Sequence, residues 1–258
     1  MADRLNILFE DQHLVAIDKP AGLLVHRSKV DVRARQFAMQ MLRDQLGQLV
    51  YPVHRLDRPT SGVLLFALNS GVARSLCQQF ENRSVSKQYE AIVRGHPPQN
   101  GCWDEPLVEK QDRVLAGHAD EDKAAQSAVT RFETMQTWTI PFSTKACSPT
   151  GKYASSRYAH VRINPKTGRR HQIRRHFNHM AYPIVGDTTY GDRRHNRLIN
   201  QLTGVKRLLL VAKTLTIQHP VSGQSLTIEA NVGRQFANVV SFLDVPKPEI
   251  CAATDLNC

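Results

Sequence analysis

With 258 residues, 41% hydrophobic and 22% charged, the chain has the composition of an ordinary soluble globular protein, long enough for one large domain or two small ones. No apolar run approaches the roughly 20 residues that cross a bilayer, and the opening Met-Ala-Asp-Arg-Leu-Asn lacks the basic-then-apolar layout of a signal peptide. The formal net charge is +11, and its distribution is more telling than its sum: from Thr134 to Gly186 there is no Asp or Glu, while Lys145, Lys152, Arg157, Arg162, Lys166, Arg169, Arg170, Arg174 and Arg175 all fall there. Such a field attracts a polyanion, most commonly nucleic acid; a solvated basic surface is the plainer alternative.

The five cysteines, Cys77, Cys102, Cys147, Cys251 and Cys258, are irregularly spaced with no Cys-x-x-Cys pair, so neither a disulfide framework nor a zinc site is indicated. Cys258 is the last residue and cannot be the prenylated cysteine of a four-residue C-terminal box. A cytoplasmic location is expected.

In chain order, Asn6 to Phe9 and the apolar run Leu14 to Ile17 read as strands. Asp18-Lys19-Pro20-Ala21-Gly22 is a turn, with Pro20 fixing φ and Gly22 free to take φ > 0, before Leu23 to His26. A helix is expected over Gln36 to Leu46, with Phe37, Met41 and Leu42 on one face and Gly47 at its end. His54-Arg55-Leu56-Asp57-Arg58-Pro59-Thr60-Ser61-Gly62 then forms a polar turn feeding an apolar run, Val63 to Leu68. Asn69 or Ser70 caps a helix to about Phe80, whose Val72, Ala73, Leu76, Cys77 and Phe80 make a core-facing stripe.

Lys87 to Gly95 alternates as a strand, residues 99–126 read as loops and short strands, and Ser127 to Met135 is another strand. Gln136 to Ser155, rich in Thr, Ser and Pro, is expected to be an extended basic loop. Ser156 to Ile163 alternates, with Tyr158, His160 and Arg162 on one face and Ala159, Val161 and Ile163 on the other. Asn164 to Gly168 turns the chain into a helix from Arg169 to Tyr182, striped by Ile173, Phe177, Met180 and Ala181. The remainder predicts strands at Leu208–Val211, Leu215–Ile217 and Leu226–Ile228, a hairpin turn at His219 to Gly223, and a helix over Gln235 to Leu243. Strands outnumber helices and neighbours look hairpin-linked, which gives an α+β fold with a mixed, largely antiparallel sheet. No linker divides residues 1–245, and 246–258 reads as a polar tail.

Local chemistry alone leaves Asp57 open. Aspartate in a turn is commonly an acceptor for neighbouring backbone N–H groups; a carboxylate between two arginines, on a loop that ends in a rigid strand, is also where a reactive group can be held still. His54-Arg55-Leu56-Asp57, two further positions, then Thr60-Ser61-Gly62 resembles the active-site motif of the RluA-type pseudouridine synthases, which isomerise uridine in RNA. Lys19-Pro20-Ala21-Gly22, Lys87-Gln88-Tyr89 and Lys166-Thr167-Gly168-Arg169-Arg170-His171-Gln172-Ile173-Arg174 resemble that family's other motifs in the same order, over roughly residues 5–230.

The resemblance implies a pseudouridine synthase fold, no cofactor, and three catalytic residues. Asp57 supplies the carboxylate, Arg174 pairs with it, and Tyr89 stacks on the target base. The plainer alternatives are a phosphate contact for Arg174 and strand packing for Tyr89. By resemblance Arg55 fills the gap left by a flipped nucleotide; the plainer alternative is another phosphate contact. His54 reads as ordering the motif by hydrogen bonds, and Lys166, Arg169, Arg170 and Arg175 as RNA-backbone contacts. One departure is Val211, where relatives often carry histidine. Arg58-Pro59, the loop at 136–155 and the absence of a separate N-terminal RNA-binding domain resemble the branch that modifies uridine 65 in the T-stem of tRNA, so tRNA is the expected partner, with no obligatory protein partner indicated. The alternatives are a sister enzyme acting on large-subunit ribosomal RNA and an RNA-binding protein or chaperone without catalysis. His171, His176 and His179 match no familiar metal spacing, and Thr150-Gly151-Lys152-Tyr153 lacks the residues of a phosphate loop.

Overall fold

A computed structural model describes residues 4–26, 35–108, 124–144 and 153–245. The first half runs β1 (Asn6–Glu10), β2 (Leu14–Lys19), α1 (Ala38–Leu46), β3 (Tyr51–Pro52), β4 (Ser61–Ala67), α2 (Ser70–Glu81), β5 (Ser86–Arg94) and β6 (Asn100–Asp104). The second runs β7 (Val129–Ile140), β8 (Ser156–Pro165), α3 (Gln172–His179), α4 (Arg193–Thr203), β9 (Leu210–Gln218), β10 (Ser225–Glu229) and α5 (Arg234–Asp244). The strands form a ten-stranded sheet ordered β1-β2-β4-β9-β5-β8-β7-β6, with β10 on β9 and β3 on β4. Among the described strand pairs only β4 against β9 is parallel, so the expected mixed, largely antiparallel α+β sheet is what forms.

β4 is buried at all seven positions. It is a continuous apolar run rather than an alternating one because both of its faces are covered. Val63, Leu65 and Ala67 pack with Val72 and Leu76 of α2, while Leu64 and Phe66 pack with Ala38 and Leu42 of α1. The α2 N-terminus is closed as its sequence predicts, the Asn69 side chain accepting from the Val72 N–H at 2.9 Å. α1 ends on Gly47 at φ 67°.

Several expectations are corrected. Gln136 to Ile140 belong to β7, not to a loop, because Trp138 and Ile140 are buried and the strand pairs along its length with β8; residues 145–152 of that loop, and the 246–258 tail, lie outside the described residues. The helix expected from Arg169 starts only at Gln172, since His171 takes a left-handed φ of 54°. It stops before Met180 and Ala181: Ala181 adopts φ 62°, the Tyr182 N–H returns to the Phe177 carbonyl at 2.8 Å, and Pro183 follows. Met180 and Ala181 therefore leave the buried stripe that Ile173 and Phe177 form. The runs at Leu208–Val211 and Leu215–Ile217 are one strand, β9, broken in pattern by a bulge: Gln88 faces Thr214 but Tyr89 faces Ala212, so Lys213 is the extra residue. α4 has no counterpart among the expected elements.

Candidate active site

The head of β4 carries Asp57 on a loop that is braced from the side and from below. Lys19, fully buried, donates from Nζ to the carbonyls of Pro20 and Leu23 at 2.9 Å and of Arg58 at 3.2 Å. Burial pulls its ammonium down to about 7, against the opposing pull of the Asp57 carboxylate. Gly22 and Arg58 close the same junction twice, Gly22 N–H to the Arg58 carbonyl at 2.8 Å and Arg58 Nε to the Gly22 carbonyl at 2.9 Å. At the other end of the loop, Gly62 sits at φ 109° with the Ala212 carbonyl so near that a Cβ would fall 2.2 Å from it. No other residue type allows β4 to meet β9 this closely, so the glycine sets where the loop begins its turn.

Asp57 does not behave as a turn acceptor through its side chain: the Thr60 N–H bonds its main-chain oxygen at 3.0 Å. Its carboxylate, 19% exposed, accepts from Arg174 Nη1 at 3.2 Å. Arg174 is buried and held on its other edge by a residue outside the sequence motifs: Nε and Nη2 donate to the two carboxylate oxygens of Asp187 at 2.7 and 2.9 Å. Burial works against the guanidinium charge, but Asp187 and then Asp57 outweigh it and hold Arg174 above its ordinary value. Burial would likewise raise Asp187, and the Arg174 bond and charge hold it below the usual carboxylate range. The Asp187 carboxylate also accepts from the N–H groups of Thr189 and Tyr190, and Asn196 of α4 donates to its carbonyl. Gly186, at φ 79°, lets this loop pass the Arg207 carbonyl, which a Cβ would meet at 1.9 Å. Tyr190 covers the Arg174 guanidinium with its ring, 5.2 Å from Cζ to centroid.

All nine sequence-predicted site residues line one cavity of about 700 Å³: His54, Arg55, Asp57, Tyr89, Lys166, Arg169, Arg170, Arg174 and Arg175. Tyr89 stands at the bulge between β5 and β9 and packs against two apolar clusters, one built on α3 and one on α1. Burial first, and then the Asp57 charge, push its phenol above the ordinary range. His54 is half-buried, stacked on Phe80 with ring centroids 4.8 Å apart, and accepts from the Leu65 N–H at Nε2 at 3.0 Å. Desolvation, helped by the Lys87 charge, lowers it to about 3, so it is a neutral hydrogen-bonding group.

Arg55 and Lys166 are exposed at the rim. Arg169 and Arg175 are partly tied down, donating to the carbonyls of Ser127 at 3.1 Å and Val108 at 2.9 Å. His171, His176 and His179, which match no metal spacing in the sequence, go to different partners. His176 is buried against Thr130 and the Glu105 carbonyl, His179 pairs with the Glu105 carboxylate, and His171 faces Asp57 and Tyr190. The motif reading missed Asp187, Tyr190 and the placement of His171. One signal for Asp187 was present: it is the residue that ends the acid-free stretch from Thr134 to Gly186.

A carboxylate fixed beside an arginine and a tyrosine, in a cavity rimmed by cations, suits acid–base or nucleophilic chemistry on a polyanionic substrate. The chain belongs to the RNA pseudouridylate synthase family, whose sequence profile matches residues 13–179. It is 50% identical over 240 residues to the tRNA pseudouridine synthase C of Pasteurella multocida (strain Pm70), covering 93% of this chain and 96% of that one. It is 46% identical over 237 residues to the protein of the same name from Vibrio cholerae serotype O1, covering 92% and 95%. Among solved structures it resembles human RNA pseudouridylate synthase domain containing 4, at 27% identity and a TM-score of 0.66 with 92% of each chain covered.

Proposed function

We propose that this protein isomerises a specific uridine of tRNA to pseudouridine, at position 65 in the T-stem, with residues 1–245 acting as one catalytic domain in the cytoplasm. The observation that carries the chemistry is the Asp57–Arg174 pair, 3.2 Å apart and open to a cavity that also holds Tyr89. The tRNA substrate rests on the relatives named for it, which match 93% and 92% of this chain.

The reaction breaks the bond from ribose C1′ to uracil N1, turns the detached base, and joins C1′ to C5, which loses a proton while N1 gains one. It is redox-neutral. Asp57 acts on the nucleotide as an ionised carboxylate, oriented by Arg174. Tyr89, held beside it by packing, lies against the base and keeps it in the site during rotation. A stem uridine reaches Asp57 only after flipping out, at about a few kcal/mol, and Arg55 at the rim fills the vacated place in the stack. His54 orders the loop by accepting the Leu65 N–H. Lys166, Arg169, Arg170 and Arg175 hold the RNA backbone.

The test is to map pseudouridine in tRNA and ribosomal RNA from cells lacking the protein, before and after incubation with it. A new site in the tRNA T-stem is the expected result. A site in large-subunit ribosomal RNA would overturn the substrate, and binding without any modification would overturn the enzyme reading in favour of an RNA-binding protein.

A further inference from the structure

The first residue of the α3 approach, His171, is not explained by the fold. Its backbone is left-handed at φ 54°, an uncommon state for a residue with a Cβ, which costs on the order of 1–3 kcal/mol and persists where the surroundings demand it. That backbone turns the side chain into the cavity, where it lies 22% exposed. Its two ring nitrogens face different groups: Nδ1 is 3.1 Å from the Tyr190 hydroxyl, and Nε2 is 3.9 Å from Asp57 Oδ1. The other carboxylate oxygen, Oδ2, is the one Arg174 holds.

We infer that His171 is a second anchor of the catalytic carboxylate, a positioning residue whose Nε2–H orients Oδ1 of Asp57 as Arg174 orients Oδ2, with Tyr190 selecting the tautomer. This rests on the function proposed above. The tautomer follows from the partners. A Tyr190 hydroxyl that donates to Nδ1 leaves the ring proton on Nε2, pointing at the carboxylate. At 3.9 Å the contact is an ion–dipole approach and not yet a hydrogen bond, and a small rotation of either side chain closes it when the substrate fills the cavity. Two anchors on two oxygens fix the plane of the carboxylate, which one arginine nitrogen does not.

The charged and titratable groups around the ring are Asp57 from the β4 loop, Arg170 and Arg174 from the α3 segment, and Asp187 with Tyr190 from the loop before α4. Burial leads, and the two arginines add to it, in lowering His171 against the pull of Asp57 and Asp187, so the ring is neutral at pH 7. Protonation on falling pH turns Nδ1 from an acceptor into a donor toward the Tyr190 oxygen and places a charge beside Asp57, which competes with Arg174 for the carboxylate and weakens it as a base or nucleophile.

His171→Gly tests this without endangering the fold, because glycine is at ease at φ 54°. The measurement is single-turnover pseudouridine formation on tRNA as a function of pH, alongside RNA binding. The expected result is a rate at least about 10-fold below wild type, unchanged RNA affinity, unfolding no easier than wild type, and loss of the acid limb that His171 gives the wild-type profile. Tyr190→Phe should keep most of the affinity and shift that limb, and His171→Gln, which keeps an amide N–H near the Nε2 position, should recover part of the rate. A His171→Gly variant with the wild-type rate and pH profile would overturn this inference alone. A wild-type protein that forms no pseudouridine in any RNA would overturn the function, and the inference with it.

Discussion

Asp187 takes Nε and Nη2 of Arg174 at 2.7 and 2.9 Å, and this leaves Nη1 as the nitrogen that reaches Asp57 at 3.2 Å. The Asp57 carboxylate is thus oriented by an arginine that is itself immobilised by a buried acid. Removing Arg174 strands that acid. Arg174→Ala is expected to abolish turnover and to cost about 3–5 kcal/mol of stability, read by urea unfolding, because an unpaired buried charge is left behind. Adding Asp187→Asn should restore part of the stability and none of the turnover. Near-normal rates in Arg174→Ala would contradict the pairing, and a double variant less stable than Arg174→Ala would contradict the stranded charge.

The β4–β9 junction makes a backbone prediction. Gly62→Ala forces a Cβ to 2.2 Å from the Ala212 carbonyl at a φ of 109°, whereas Gly47→Ala meets nothing within 4 Å at a φ of 67°. The second change carries only the left-handed strain, about 1 kcal/mol. The first must also push β4 from β9, so a loss of more than about 2 kcal/mol and a fall in activity are expected. Equal melting temperatures for the two variants would show that the strands part without penalty.

His54 predicts a pH dependence. Its folded value is about 3 against an ordinary 6.5, so between those values the unfolded chain binds more protons than the native one. The contribution is complete above pH 6.5 and is lost as pH falls toward 3, about 3–5 kcal/mol in all at about 1.4 kcal/mol per unit. His54→Gln offers an oxygen to the Leu65 N–H and does not titrate. Its stability should therefore fall less steeply than that of wild type across this window, and parallel curves for the two proteins would refute the assignment.

These predictions draw on features that differ in how far the sequence displays them. The buried β4, the Asn69 cap and the Gly47 stop are local: apolar run, capping side chain and left-handed glycine all lie within a few residues of what they control. The bulge at Lys213 is not, since it depends on how β5 and β9 are registered, and it makes one strand look like two. α4 leaves a weak trace in the sequence because Leu198, Ile199 and Leu202 are its few apolar anchors among arginines and polar residues, although Asp192 and Gly204 cap it at the two ends. Motif resemblance, and not periodicity, brought Asp57, Tyr89 and Arg174 together. Asp187 escaped both, because its partner lies 13 residues away and its burial is a property of the assembled loop.

The rim cations should act differently from the pocket floor. Lys166 is exposed, so Lys166→Ala is expected to weaken RNA binding without altering the single-turnover rate at saturation. The slope of log affinity against log salt should fall by about one, as for the loss of one phosphate contact. A lowered saturating rate with an unchanged salt slope would move Lys166 from backbone holding to the reaction itself.

The central claim is that Asp57 carries out the isomerisation, and the most direct measurement compares wild type with Asp57→Asn on the same tRNA. Pseudouridine at the target uridine and RNA affinity are read together. The account predicts modification by the wild type, none by Asp57→Asn, and similar binding by both, since asparagine keeps the shape and loses only the charge. Pseudouridine formed at a comparable rate by Asp57→Asn would contradict it.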